Sequence, residues 1–409
     1  MGIIIKKFGG ATLADSEKIR AVAKSIAMDK IKTGHQMVVV VSAMGKSTDA
    51  QIRQIKSISE TPNSREVDLL LSTGELASAA LLSIALNAIG CEAISMSGVQ
   101  AGVLTDSHHT SAAIQWIDGM RIEEALAKQK VVILAGFQGI NAHGDVTTLG
   151  RGGSDTTALA IAARLAAKRC EILKDVPAVF TADPQLVPEA HPIHYLSYNA
   201  LLEMTYWGAK VLQYRSVEIA KKYDVPIFIG PAHSEAIGTT VKETPMIEDS
   251  EVLALNSHRK VLEIHSHQST LMKALNELHH FLENKNFPLP QILHTENAPD
   301  GMSFFVTGPE ENMEAIKKSL EFSRDFETYD LCSVTATCRG TTRPELLNIL
   351  VEILDSNGIQ VSSVAVSSMS VTLFMEERLR AKAIQSLHAI LLKPAKVVEK
   401  TRDLSYSIN

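Results

Sequence analysis

The sequence predicts an α/β fold: a three-layer α/β/α sandwich about a mostly parallel sheet, followed by a C-terminal pair of ferredoxin-like (βαββαβ) modules. Three observations predict it. Through roughly residue 240, short β-branched runs alternate with longer helical windows, the order that lays parallel strands under crossover helices. Within those windows apolar residues recur at spacings of three and four, which gives each helix one face for the sheet. Beyond about residue 250 the order becomes strand, helix, strand, strand, helix, twice over, which is the split βαβ layout.

Taken in order, strands are expected over residues 3–8, 37–42, 93–96, 131–136, 171–173 and 226–229, and helices over 17–27, 66–86, 156–167 and 199–212. Lys242, Glu243, Thr244 and Pro245 then interrupt the pattern with polar and proline residues, so a first domain is expected to span 1–245. In the tail, strands at 252–265, 291–294 and 303–307 with helices at 268–283 and 310–322 make a first module, 246–328. Strands at 332–338, 360–366 and 370–374 with helices at 343–357 and 376–391 make a second, 329–409. Modules of this kind pair across subunits, so a homodimer is expected.

The 409 residues carry 40 Lys plus Arg against 46 Asp plus Glu, a net charge of −6 with no run of like charges. That balance speaks against nucleic acid as the main partner. The longest apolar stretches, 38–41 and 131–137, are far short of a membrane span, and no membrane association is expected. The start of the chain runs into Ile3-Ile4-Ile5 and Lys6-Lys7 without the pattern of an export signal. Cys91, Cys170, Cys332 and Cys338 are dispersed and lack metal or disulfide spacing. A cytoplasmic location is the expectation.

Two glycine-rich segments could carry chemistry. Lys7-Phe8-Gly9-Gly10 closes the first strand; the glycines let backbone N–H groups approach an anion and the lysine adds a positive charge. A plain strand-to-helix turn is the alternative there. Gly150-Arg151-Gly152-Gly153-Ser154-Asp155 leads straight into a helix, so unpaired N–H groups and the positive end of the dipole face the loop. An ordinary N-cap accounts for Ser154 or Asp155, but not for a guanidinium between glycines. Glu75 is a carboxylate in an apolar helical region, where it needs a partner; a structural ion pair would serve equally. Asp183-Pro184 reads as a ligand-side loop or a turn, and Lys210 lies in a helical pattern. The pairs His108-His109 and His279-His280, with His265 and His267 on one strand face, lack acidic or cysteine partners at ligand spacing, so no metal site is expected.

Together these segments resemble the aspartokinases of the amino-acid kinase family. The resemblance is carried in order by Lys7-Phe8-Gly9-Gly10, residues 39–49, Leu71-Ser72-Thr73-Gly74-Glu75, Gly136-Phe137-Gln138-Gly139, residues 147–157, Phe180-Thr181-Ala182-Asp183-Pro184 and Gly208-Ala209-Lys210-Val211-Leu212. It implies ATP-dependent phosphorylation of the β-carboxylate of L-aspartate, with Mg²⁺ on the phosphates. It also implies an ACT pair in the tail that could take an amino-acid effector. By the same resemblance, Lys7 and the Gly9-Gly10 backbone meet the transferring phosphoryl group and Asp155 organises the catalytic end. Arg151, with Gly152 and Ser154, holds the α-carboxylate, while Glu75 and Thr48 receive the ammonium. Lys174, Asp175, Phe180, Asp183 and Lys210 serve the nucleotide. The chain departs from the family pattern at Ala11-Thr12, Lys174, Ala178, Gln185 and Gln213-Tyr214. The alternatives are a sister kinase acting on another carboxylate, such as N-acetylglutamate, and a non-catalytic amino-acid sensor.

Overall fold

The computed structural model describes residues 2–232, 238–243, 251–268, 270–285, 287–323 and 325–392. The chain forms two compact units, Met1–Phe180 with Pro192–Asp249, and Thr181–His191 with Ser250–Asn409.

The first unit is built on an eight-stranded sheet. Its order is Tyr195–Leu196, Thr239–Val241, Ile227–Pro231, Arg169–Lys174, Ile3–Phe8, Gln36–Val41, Val131–Ala135, Ala93–Met96. Every neighbouring pair is parallel except Ile227–Pro231 with Thr239–Val241. The central strands are buried on both faces, hence their unbroken Ile and Val runs. On one face Val22, Ile26, Leu82 and Leu86, from helices Ser16–Thr33 and Ser64–Ala88, pack with Val39, Val41 and Ile133. Helix Gly153–Arg164 contacts Ile3–Phe8 and Arg169–Lys174. Asp15 starts Ser16–Thr33 by accepting the N–H groups of Glu17 and Lys18, and Gly34 ends it at a φ of +65°.

The chain leaves the central strand towards Gln36–Val41 on one side and returns on the other as Arg169–Lys174. Parallel strands send their exit loops to one edge, so Gly9-Gly10, residues 42–45, Gly136 and Asp175 emerge together at this reversal, where open α/β sheets hold ligands.

Several short elements were not legible beforehand: helices Ser47–Ile58, Met120–Ala127 and Tyr214–Lys222, and a four-stranded sheet ordered Ile114–Ile117, Val103–Thr105, Gln138–Ile140, Val146–Thr148. The helix expected over 199–212 is a correction: it stops at Tyr206, because Gly208 takes a φ of +99° and turns the chain. Helix Ser64–Ala88 is long and apolar enough, by length and composition, to cross a membrane. Here it is a core helix with Asp68 and Glu75 buried along it.

In the second unit one seven-stranded sheet serves both expected modules. The order is Gln291–Ala298, Gly301–Thr307, Val261–Ser266, Phe326–Cys338, Ser370–Glu376, Ser363–Val366, with Val252–Asn256 also on Phe326–Cys338. That long strand pairs with Val261–Ser266 through residues 326–331 and with Val252–Asn256 through 335–338. The strand expected as one piece over 252–265 is therefore two. The 328/329 division falls inside a continuous strand, and the earliest strand of the tail lies beside its far half, so one helix-and-strand set is nested within the other. Residues 244–250, where the first boundary was expected, lie outside the described residues.

Candidate active site

Strand alternation decides which of two adjacent lysines serves the exit edge. Lys6 and Lys7 leave opposite faces of Ile3–Phe8. Lys6 meets Asp29 at 2.6 Å and Glu171 at 2.8 Å; burial alone would lower its pKa, but the two carboxylates outweigh that and raise it. Lys7 reaches the other way, to 2.6 Å from Oδ1 of Asp155. Lys174, at the end of Arg169–Lys174, stands 3.8 Å from Oδ2 of the same carboxylate and donates to the carbonyl of Val211. Burial pushes the Lys174 pKa down, with Asp155 opposing and Lys7 adding to the fall. Two ammonium groups thus share one carboxylate, leaving positive charge in excess.

Asp155 lies in the first turn of Gly153–Arg164, whose N-cap is Gly152 at a φ of +67°. The N-cap reading of Ser154 or Asp155 is therefore corrected: both sit inside the helix, buried. Close approach explains two of the glycines. A Cβ on Gly152 would lie 2.0 Å from Cγ of Gln213, and one on Gly136 would lie 2.8 Å from Cβ of Ser154. The helix N-terminus is thereby seated against the strand edge, with its positive end available to an anion. Arg151, in the loop before it, is exposed and has no ion pair among the described residues.

The glycine turn after Lys7 interlocks with the next exit loop. The carbonyl of Gly10 accepts the N–H of Gly45 at 3.0 Å, and a Cβ on Gly10 would lie 2.5 Å from the carbonyl of Ala43. A Cβ on Gly9 would meet nothing within 4 Å, so the turn is open on that side.

Glu75 is only 4% exposed. Its Oε1 accepts the N–H of Ala43 at 3.0 Å, while Oε2 has no partner. Burial pushes its pKa up to about 7, against the pull of the Ala43 N–H and of Lys7. Ser47 Oγ and Gln51 Oε1 are likewise buried without partners. They would lie 3.8 and 3.7 Å from a Cβ on Gly74, the neighbour of Glu75. A buried carboxylate oxygen without a donor suits a cation, and Ser47 and Gln51 leave two further buried oxygens without partners beside the same stretch of helix. Thr48, half-buried, begins the same helix turn as Ser47. Sequence reasoning does not single out Ser47 or Gln51, since their i, i+4 relation exists only once Ser47–Ile58 is a helix.

The remaining expected residues are less gathered. Asp175 is exposed just past Lys174, Phe180 is half-buried, and Lys210 is exposed on the turn after Gly208, one residue before the Val211 carbonyl that Lys174 binds. Asp183 belongs to the second unit, where its carboxylate accepts the Gln185 N–H at 2.9 Å, a turn. His109 bonds the fully buried Asp68 at 2.7 Å and His108 lies 3.2 Å from Asp106, so this pair divides between two carboxylates. The arrangement can hold an anion between Lys7, Lys174 and the helix N-terminus, and a cation at Glu75.

Residues 2–231 match the amino acid kinase family. Aspartokinase 2 of Bacillus subtilis (strain 168) is 38% identical over 399 residues, covering 95% of this chain and 97% of that protein. Among solved structures, E. coli aspartokinase III in complex with aspartate and ADP gives a TM-score of 0.78 at 21% identity, covering 96% of this chain and 100% of that one. The same protein in complex with lysine and aspartate gives 0.75 at 21% identity with the same coverage; these two likenesses speak for the fold. With the family matched over more than half of its length and a relative aligned along nearly all of it, the chain belongs to the amino acid kinase family, among its aspartokinases.

Proposed function

We propose that the chain transfers the γ-phosphoryl group of ATP to the β-carboxylate of L-aspartate, giving 4-phospho-L-aspartate, the first step towards aspartate-derived amino acids. The observation that carries this reading is Glu75: a buried carboxylate with one oxygen held by Ala43 and the other without a partner. A free α-ammonium supplies the missing donor and charge; an acylated amine leaves the carboxylate unpaired in the site. The aspartate and ADP held by the E. coli protein agree with it.

Both reactants are anionic, so the site must neutralise charge and hold them in line. A β-carboxylate oxygen attacks the γ-phosphorus as the bond to the β,γ-bridging oxygen breaks, releasing ADP. Lys7 and the Gly9-Gly10 amides stabilise the transferring group, and Asp155 positions Lys7. Arg151 clamps the α-carboxylate with help from Gly152 and Ser154, while Thr48 joins Glu75 at the ammonium. Lys174, Asp175, Phe180 and Lys210 serve the nucleotide; Asp183 keeps its turn. Asp155 is committed to two ammonium groups, so Mg²⁺ would be held chiefly by the phosphates and water, and would supply charge neutralisation there. The C-terminal sheet is an ACT pair that joins two copies in the cytoplasm and takes an amino-acid effector, as the E. coli protein takes lysine.

Incubation with Mg-ATP and hydroxylamine tests the reading. Acyl-hydroxamate should form with L-aspartate and not with N-acetylglutamate; none with aspartate overturns it.

A further inference from the structure

The second unit gathers two histidines and a carboxylate that the sequence keeps apart. His265 is on Val261–Ser266 and His267 lies just beyond it. Asp300 is in the turn between Gln291–Ala298 and Gly301–Thr307. Antiparallel pairing of His265 with Ser303 and Ser266 with Met302 brings that turn over the two rings. One ligand atom from each of the three lies within 4.8 Å of the others. We propose that His265, His267 and Asp300 form a site for a divalent transition-metal ion of the zinc type.

The hydrogen bonds around His265 prepare its outer nitrogen for this. The Ser303 hydroxyl donates to Oε1 of Glu263 at 2.8 Å, so it turns a lone pair towards Nδ1 of His265, 3.3 Å away. Nδ1 therefore carries the ring proton and Nε2 the free lone pair. The His265 side chain is more than nine-tenths buried, and Nε2 lies 3.2 Å from Oδ1 of Asp300 without a hydrogen-bond partner. A bare nitrogen facing a carboxylate oxygen at that separation calls for a cation between them. Ligands held at about 2.0–2.1 Å around a tetrahedral ion stand about 3.3–3.4 Å apart, close to this spacing.

The second ring stands beside the same carboxylate. His267 presents Nδ1 to Oδ2 of Asp300 at 3.8 Å and Nε2 to Oε1 of Glu327 at 3.9 Å. Of its two ring nitrogens, Nδ1 is the one beside Asp300 and so the one placed to face the ion. His265 thus has an outer acceptor, Ser303, that fixes its tautomer and orientation, the usual support of a bound metal. Asp300 and His267 are exposed, which leaves the fourth position to water.

The test uses the full chain, stripped with a chelator and titrated with zinc chloride by calorimetry and with cobalt chloride by visible absorption. One zinc per chain and the intense bands of tetrahedral cobalt are expected. His267→Ala and Asp300→Asn change exposed side chains, so they should leave the circular dichroism spectrum unchanged while weakening zinc binding at least tenfold. Wild-type zinc affinity in both variants, or no uptake by the parent chain, overturns the proposal.

Discussion

The Lys7 ammonium lies 2.6 Å from Oδ1 of Asp155, with both side chains more than nine-tenths buried. This contact ties the end of the central strand to the first turn of Gly153–Arg164, so it fixes where the phosphate-facing lysine stands relative to the helix N-terminus. Neither partner can be removed quietly, since an unpaired buried charge costs far more than the pair is worth.

Lys7→Ala should therefore do two separable things. Loss of a charge aimed at the transferring group should lower kcat by about 10²–10³. Exposure of the Asp155 charge to a poorer partner, Lys174 at 3.8 Å, should lower the unfolding free energy by about 3 kcal/mol. Adding Asp155→Ala should recover part of that stability and none of the rate. Steady-state kinetics and denaturant midpoints of the two single variants and the double variant check it; strict additivity in stability would mean that the contact carries no coupling.

Gly152→Ala tests the seating of the helix. The added methyl would lie 2.0 Å from Cγ of Gln213 and would be forced to a φ of +67°. Backbone strain of this kind costs about 1–2 kcal/mol, and the clash adds to it. Gln213→Ala in the same chain should remove the 2.0 Å contact, leaving the 3.0 Å approach to Cβ and the strain, so the double variant should fall between Gly152→Ala and the parent in Tm. Equal Tm values for Gly152→Ala with and without the second change would show that Gln213 yields at no cost.

What the sequence made legible follows from what is local. The buried strands announce themselves by Ile and Val runs, and glycines at 10 and 152 mark turns where backbone comes close to a neighbour. The Lys7–Asp155 contact is not local: it depends on Ile3–Phe8 lying between Gln36–Val41 and Arg169–Lys174, and only the resemblance to aspartokinases linked the two residues. Ser47 and Gln51 carry no signal of their own because Ile52, Ile55 and Ile58 mark Ser47–Ile58 as helical but not what its polar side chains meet; only packing at Gly74 brings those two side chains together. Lys210 lies in a helical pattern of sequence, but Gly208 turns the chain before it. Asp300 reaches His265 only through strand pairing, so spacing rules for metal ligands could not find it.

Lys174→Met separates nucleotide binding from chemistry. Lys174 is the more distant partner of Asp155 and is tied to the Val211 carbonyl, next to Lys210. Its removal should raise the KM for ATP about tenfold, the loss of one charged contact, and move kcat less than Lys7→Ala does. A larger fall in kcat than with Lys7→Ala would reverse the assignment of the two lysines.

Glu75 makes the stability of the substrate-free chain depend on pH in an unusual direction. Its folded pKa, about 7, lies above the ordinary 4.5 because burial disfavours the charged form. Between those values the folded state holds more of this proton than the unfolded state does, so stability falls as pH rises through the interval and levels off above about 7. A shift from 4.5 to about 7 corresponds to about 3 kcal/mol. Glu75→Gln should remove this component and be more stable than the parent at pH 8 without substrate. The same variant should raise the KM for aspartate by about 10²-fold, as expected for a lost buried charge-assisted contact. In the parent chain, protonation of Glu75 should raise the KM for aspartate as pH drops below about 7, with no such trend in Glu75→Gln. Urea midpoints across pH 5 to 8 and aspartate KM profiles for both proteins decide it; parallel profiles would take Glu75 out of the ammonium site.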